Sequence, residues 1–232
     1  MKTAIMQPYF FPYIGYFQLI NSVDLFITYD NIKYTKKGWI NRNRILENGK
    51  AKIISLPLKN ASDFLDIRER EISENFSSQK LLNTIYSSYR KAPQLDIAFE
   101  QIEKIIRYDE KNLFKFLHHS ISVVCNYLKI KTPIKISSEI KINHELKGSE
   151  KVLALCRAVE ADSYINAIGG VELYSKLDFI NQNIDLKFIK PNLFAYQQYR
   201  NDFIPWLSII DVMMFNSAET INKTLLNNFK LI

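Results

Sequence analysis

The sequence predicts an α/β protein: a parallel-sheet core like that of nucleotide-binding α/β folds, with a substantial helical portion. Three observations predict it. The chain opens as strand, loop, helix, strand, the first half of a parallel unit. The same order returns after residue 160. Between the two units lie three long stretches of helical period.

Lys2 to Met6 reads as a short buried strand and Gln7 to Pro12 as a loop punctuated by Pro8 and Pro12. Gly15 to Ser22 follows as a helix with Tyr16, Leu19 and Ile20 on one face, and Asp24 to Tyr29 as a second strand. Trp39 to Ile45 and Ala51 to Leu56 are expected as strands about Asn48-Gly49, a pair that favours a tight hairpin turn. Asp66 to Ile72 is expected as another strand. Asn75 to Lys91, Gln94 to Arg107 and Lys111 to Leu128 read as helices. The third is the clearest, because Leu113, Leu117, Ile121, Val124 and Leu128 keep to one face. Ile134 to Ile136 is a strand and Ser149 to Glu160 a helix capped by Ser149. Ser163 to Asn166, the Gly169-Gly170 pair, a short helix from Val171 and a strand at Asp185 to Ile189 form the second unit. Trp206 to Asn216 is apolar, and Glu219 to Asn227 is expected as a closing helix. No Gly/Ser-rich linker interrupts the chain, so residues 1–232 are read as one α/β domain, with 75–130 as a packed helical layer or insert.

Composition bounds the function. The chain has 232 residues, 47% hydrophobic and 24% charged, which excludes disorder, collagen and coiled coil as whole-chain descriptions. It holds no run of about 18 apolar residues, so no membrane span is expected. Met1 to Pro8 lacks the apolar stretch of a signal peptide. Cys125 and Cys156 sit in helical apolar patterns and read as reduced core residues of a cytoplasmic protein. Two cysteines and three histidines (His118, His119, His144), with no paired ligand spacing, give no expectation of a metal site. His118 and His119 are expected on the exposed flank of their helix. No cofactor is specified.

The net charge is +7, and residues 33 to 52 hold seven cations (Lys33, Lys36, Lys37, Arg42, Arg44, Lys50, Lys52) against Glu47. Such a segment is either a solvated lysine-rich hairpin or the footprint of an anionic partner. The remainder is nearly neutral, so a small phosphorylated ligand, such as a nucleotide sugar, fits better than duplex nucleic acid.

Four segments are candidates for chemistry. Gln7 through Tyr16 lies after the first strand and at a helix start, where backbone amides favour anions; Gln7, Tyr13, Gly15 and Tyr16 are its candidate ligand residues, against a purely packing role for an aromatic-proline loop. In Asp30 through Arg44, Lys36, Lys37, Arg42 and Arg44 are phosphate candidates. Tyr34 and Trp39 offer stacking faces, Asn41 and Asn43 offer amides to sugar hydroxyls, and Asp30 is the candidate base. In Asn166 through Tyr174, Gly169-Gly170 reads as an anion nest or a tight turn, with Asn166, Glu172 and Tyr174 facing it. Asp211, in an apolar run, must be paired or functional; a structural partner such as an arginine or helix-terminal amides is favoured.

Together these segments resemble the WbqC-like protein family. The resemblance is carried by Gln7-Pro8-Tyr9-Phe10-Phe11-Pro12-Tyr13-Ile14-Gly15-Tyr16-Phe17, Tyr29-Asp30 and Gly38-Trp39-Ile40-Asn41-Arg42-Asn43. It continues through Tyr89 to Pro93, Tyr164 to Asn166, Gly169 to Tyr174 and Leu207 to Asp211. Lys33-Tyr34 stands where the family usually has Gln-Tyr. The resemblance implies a place in surface-polysaccharide synthesis, and with it acyl, aminoacyl or glycyl transfer that forms an amide on a nucleotide-linked amino sugar. The rival expectation is a non-catalytic sugar-nucleotide binding or scaffold protein. The opening is also similar to nucleotidyltransferase and pantothenate synthetase folds, with Tyr13 and Tyr16 where those have the histidines of His-x-Gly-His.

Overall fold

In the computed structural model, which describes residues 1–199 and 202–232, eight strands form a six-stranded sheet and a separate two-stranded hairpin. The strands are β1 (Lys2–Met6), β2 (Leu25–Thr28), β3 (Arg42–Glu47), β4 (Lys50–Ser55), β5 (Ile134–Ile136), β6 (Ser163–Ala167), β7 (Asp185–Pro191) and β8 (Phe229–Leu231). The helices are α1 (Ile14–Asn21), α2 (Ser78–Tyr89), α3 (Leu95–Ile106), α4 (Leu113–Tyr127), α5 (Gly148–Ala158), α6 (Lys176–Ile180), α7 (Ile209–Phe215) and α8 (Ala218–Lys223).

The large sheet runs β5-β2-β1-β6-β7-β8. Its first five strands are parallel, and β8 closes the edge antiparallel to β7. From β1 the chain builds outward through β2 to β5, then returns to the other side of β1 for β6 and β7. The order reverses between β1 and β6. In open α/β sheets such a switch point is where the crossing connections part and leave a crevice beyond the strand ends.

Side-chain alternation explains the two covered faces. Ala4, Phe26 and Ile165 pack with α1, α2 to α4, α7 and α8 in one large core. Ile5, Leu25, Ile27 and Tyr164 point the other way, to a smaller core with Val152, Leu155 and Phe179 of α5 and α6. Both cysteines are buried free thiols, pushed up to about 12 by burial, and so are inert core residues. Among the described residues, no helix is long and apolar enough to cross a membrane.

The long crossover from β2 to β5 carries the hairpin and three helices. Asn48 and Gly49 turn the hairpin with φ of 50° and 74°, the left-handed pair that an Asn-Gly turn supplies. Some boundaries depart from expectation. Asp66 to Ile72 is a 3-10 turn, Ile67–Glu69, because Asp66 and Glu69 reciprocally cap it, and only isolated bridges join it to its neighbours. The fifth helix begins at Gly148 after Lys147, without a side-chain cap, so Ser149 lies inside it. His118 and His119 are half-buried against Phe114 and Tyr108 rather than on an exposed flank. The closing helix ends at Lys223 and is followed by the short strand β8.

Candidate functional site

The carboxyl ends of β1 and β6 open onto a cavity of ≈ 400 Å³, within the usual range for small-molecule sites. Gln7, Tyr9, Tyr13, Gly15 and Tyr16 line it from one side, and Asn166, Gly169, Gly170, Leu173 and Tyr174 from the other. Tyr29, at the end of β2, completes the rim. Two candidate segments about 150 residues apart thus meet at the switch point.

Local sequence explains how the wall is built. The loop after β1 is held by the hairpin: Asn43 donates from Nδ2 to the carbonyls of Phe10 (3.0 Å) and Phe11 (2.8 Å). Ser208 Oγ also donates to Phe11 O at 2.8 Å. These bonds hold Phe11 at φ 43°, a conformation a bulky residue adopts only when its surroundings enforce it. Tyr16 donates to the Gln7 carbonyl at 3.0 Å, so the loop folds back on its own helix. Tyr13 lies over the start of α1. A Cβ at Gly15 would stand 2.3 Å from its ring, which is why residue 15 is glycine although its backbone is helical.

Electrostatically the cavity is neutral. Among the described residues, its lining is aliphatic, aromatic, thioether and amide, with no carboxylate, imidazole, thiol or amine. Burial raises the phenols of Tyr9, Tyr13, Tyr16 and Tyr174, and that of Tyr29 up to about 12, so all five remain protonated at neutral pH. Tyr164, behind them, donates to the Tyr174 hydroxyl at 3.4 Å. Such a site offers hydroxyls and an amide to sugar or phosphate oxygens, and flat faces to rings. Among the described residues, no cluster of His, Cys, Asp and Glu could hold a metal ion.

The remaining candidates are elsewhere or already committed. The Gly169-Gly170 pair is not a nest. Both residues have negative φ inside the 3-10 helix Ile168–Leu173, whereas a nest needs alternating handedness. Gly170 is required instead by contact, since its Cβ would meet Asn166 Nδ2 at 2.9 Å. Glu172 is exposed and does not border the cavity. Lys36 is tied to Asp63 at 2.7 Å on the surface, and Lys37 occupies a left-handed turn at φ 64°. Arg42 closes its own loop on the carbonyls of Gly38 and Lys37. Asn41 is committed to Tyr34 and Leu56, and Asn43 to the aromatic loop. The basic segment and the Gly-Gly turn therefore do not share one cavity, and the amides expected for sugar hydroxyls are structural. Trp39 stays open, at 41% exposure.

Asp30 is buried beyond the end of β2 and does not line the cavity. Its carboxylate accepts from Ser137 Oγ (2.7 Å), Ser138 N (3.0 Å) and Ser138 Oγ (2.6 Å), which fastens β2 to the turn after β5. A base role is not supported there, since the carboxylate is committed to these three donors and lies outside the lining. Asp30→Asn keeps one oxygen in place and lets Ser138 Oγ turn to accept. We expect a loss of about 1–2 kcal/mol from weaker, uncharged bonds and no change in ligand affinity, measured by melting and ligand-induced shift together. Sequence reasoning passed over Lys151, whose buried ammonium donates to Asn31 O at 3.0 Å and lies over the Tyr29 ring. Tyr9 and Leu173 enter the sequence reading only as members of the Gln7–Tyr16 and Asn166–Tyr174 segments, and Tyr29 is not among its candidate ligand residues. Tyr29 falls outside the strand-end rule in the sequence because the second strand reads through to it, whereas β2 ends at Thr28 and leaves Tyr29 just beyond.

The sheet order defines this chain as an α/β protein with a cavity at its switch point. The chain belongs to the WbqC-like protein family, which matches residues 7–223. It is also similar to "Uncharacterized protein Rv1507c" of Mycobacterium tuberculosis, with 27% identity over 94% of this chain and 95% of the relative.

Proposed function

We propose that this chain binds a nucleotide-linked amino sugar at the switch point. Its role in surface-polysaccharide synthesis would be to hold that sugar while an amide forms on its amino group. One observation carries the reading: the Gln7–Tyr16 and Asn166–Tyr174 segments close on one neutral, tyrosine-lined cavity where β1 and β6 part. The start of α1 lies at this end of the sheet; the Tyr16 amide is bonded to the Tyr13 carbonyl at 3.0 Å, which leaves the Ile14 and Gly15 amides as the first-turn donors for a phosphate. In the transfer, the sugar amine would form the new C–N bond, the acyl donor would lose its leaving group, and the amine would lose a proton. The amide-forming step itself rests on the family resemblance.

The second reading, binding without turnover, is favoured by the absence of any titratable base in the lining. Both readings require binding. A panel of UDP-, dTDP-, GDP- and CMP-linked sugars should contain at least one member that raises the melting midpoint. A ligand at 100 times its Kd adds about 2.7 kcal/mol, which is roughly 5–10 °C for a chain of this size. No shift with any member would sink both readings. Amide product from an activated acyl donor and the bound amino sugar separates the first from the second.

A further inference from the structure

Beside the switch-point cavity lies a second, smaller cleft of ≈ 160 Å³, lined by Tyr9, Pro12, Tyr13, Trp39, Asn43, Arg44 and Trp206. Tyr9 and Tyr13 belong to the lining of both spaces. The cleft holds both tryptophans of the chain, each largely exposed, at 41% and 53%. Apolar patches rimmed by polar groups are a common mark of binding sites. Trp206 is moreover held at φ 61°, in the left-handed region, with its ring edge-on to Tyr13 at 5.9 Å. Strain of that kind persists where the surroundings enforce it, and it clusters at ligand clamps.

Arg44 joins the two walls. Its guanidinium lies 5.2 Å from the Trp39 ring and donates from Nη2 to the Trp206 carbonyl at 3.0 Å. Its Nε is buried without an acceptor among the described residues, a vacancy that calls for an explanation. The Asn43 amide is already spent on backbone partners. The cleft therefore presents flat apolar faces beside the Arg44 guanidinium. A pyranose, with an apolar C–H face and oxygen acceptors on its rim, is well matched.

We propose that the Trp39–Trp206 cleft is the sugar subsite: it takes the pyranose ring of the ligand, with Arg44 donating to an oxygen of its substituents, while the nucleotide occupies the larger cavity. This rests on the binding reading above for the nucleotide half only. Because the chain has just these two tryptophans, its indole emission reports on this cleft alone.

The test is a fluorescence titration with two arms. In the first, methyl glycosides of N-acetylhexosamines at millimolar concentration should change the emission. The change should fall at least threefold in affinity in Arg44→Met, and likewise in Trp39→Phe, where Trp206 remains as reporter. Circular dichroism and melting establish that both variants are folded; if one is not, Trp206→Phe replaces it. In the second, a nucleotide sugar that shifts the melting midpoint should change the emission, and its parent nucleotide should shift the midpoint without doing so. Emission unmoved by every glycoside and every bound nucleotide sugar overturns the subsite. An identical emission change with the parent nucleotide also overturns it, because the base would then occupy the cleft. If no nucleotide shifts the midpoint but the glycosides still quench, the nucleotide reading fails and the sugar subsite stands.

Discussion

Asp211→Ala is expected to lower stability by roughly 3–5 kcal/mol, since three donors, two of them buried, lose this acceptor at once. Tyr89 donates to Oδ1 at 2.8 Å, while Tyr196 and Gln198 donate to Oδ2 at 2.6 Å each. Tyr89 in turn accepts from the Leu46 amide at 2.9 Å, so one carboxylate ties α2, the hairpin, α7 and the Tyr196–Gln198 segment together. The partners are two phenols and an amide, not the arginine or helix-end amides the sequence led us to expect. At this chain length a midpoint about 10 °C lower is anticipated. Tyr89→Phe should cost about 2 kcal/mol for its two lost bonds, and the double variant less than the sum, because the residues share one network. Burial holds the Asp211 carboxyl above the ordinary aspartate range, and its three hydrogen bonds oppose that rise without cancelling it. A raised folded value means this carboxyl's contribution is complete below the unfolded value of about 3.9 and declines as pH rises through the folded one. The gap between wild type and Asp211→Ala should therefore be widest in acid and narrow toward neutrality. An alanine variant that melts within about 1 kcal/mol of wild type would show the network to be dispensable, and would return the carboxylate to the functional candidates.

What the sequence showed of this protein, and what it hid, divides along one physical line. Features fixed by local sterics or period were legible: the Asn48-Gly49 turn, the apolar face of α4, and the strand-loop-helix-strand openings that place Gln7–Tyr16 and Asn166–Tyr174 beyond strand ends. Features fixed by a distant partner were not. Asn43 looks like a sugar ligand until Phe10 and Phe11 present their carbonyls to it. Arg42 looks like a phosphate ligand until its own loop closes on it. The charge of residues 33 to 52 drew attention to Lys36 and Lys37, yet charge is what a solvated hairpin carries, and the strand ends at the switch point are uncharged. β8 has only three residues, too few for a period, and exists because β7 offers an edge. The cleft between the tryptophans was half legible. Trp39 stood out beside its cations, whereas Trp206 read as one more residue of an apolar run until the fold set it against Tyr13.

Gly15→Ala is the substitution expected to separate binding from folding most cleanly. Position 15 is helical, with no left-handed backbone to forbid a side chain, so alanine gains helix propensity of about 1 kcal/mol. The obstacle is the ring of Tyr13. An alanine Cβ would meet its Cε2 at 2.3 Å and its Cζ at 2.4 Å, and the ring must swing away. That ring is a wall of both the switch-point cavity and the tryptophan cleft. The fold should therefore melt within about 1 kcal/mol of wild type, with the propensity gain offsetting the lost ring contacts. Ligand affinity should fall about ten- to a hundredfold, equivalent to roughly 1.4–2.8 kcal/mol. Tyr13→Ala should lose affinity to a similar degree. In the double variant, Gly15→Ala should add almost nothing, because the ring it displaces is already gone. If the two losses add in full, Gly15 acts through its own backbone contact with the ligand, and Tyr13 is not the means by which this glycine shapes the site.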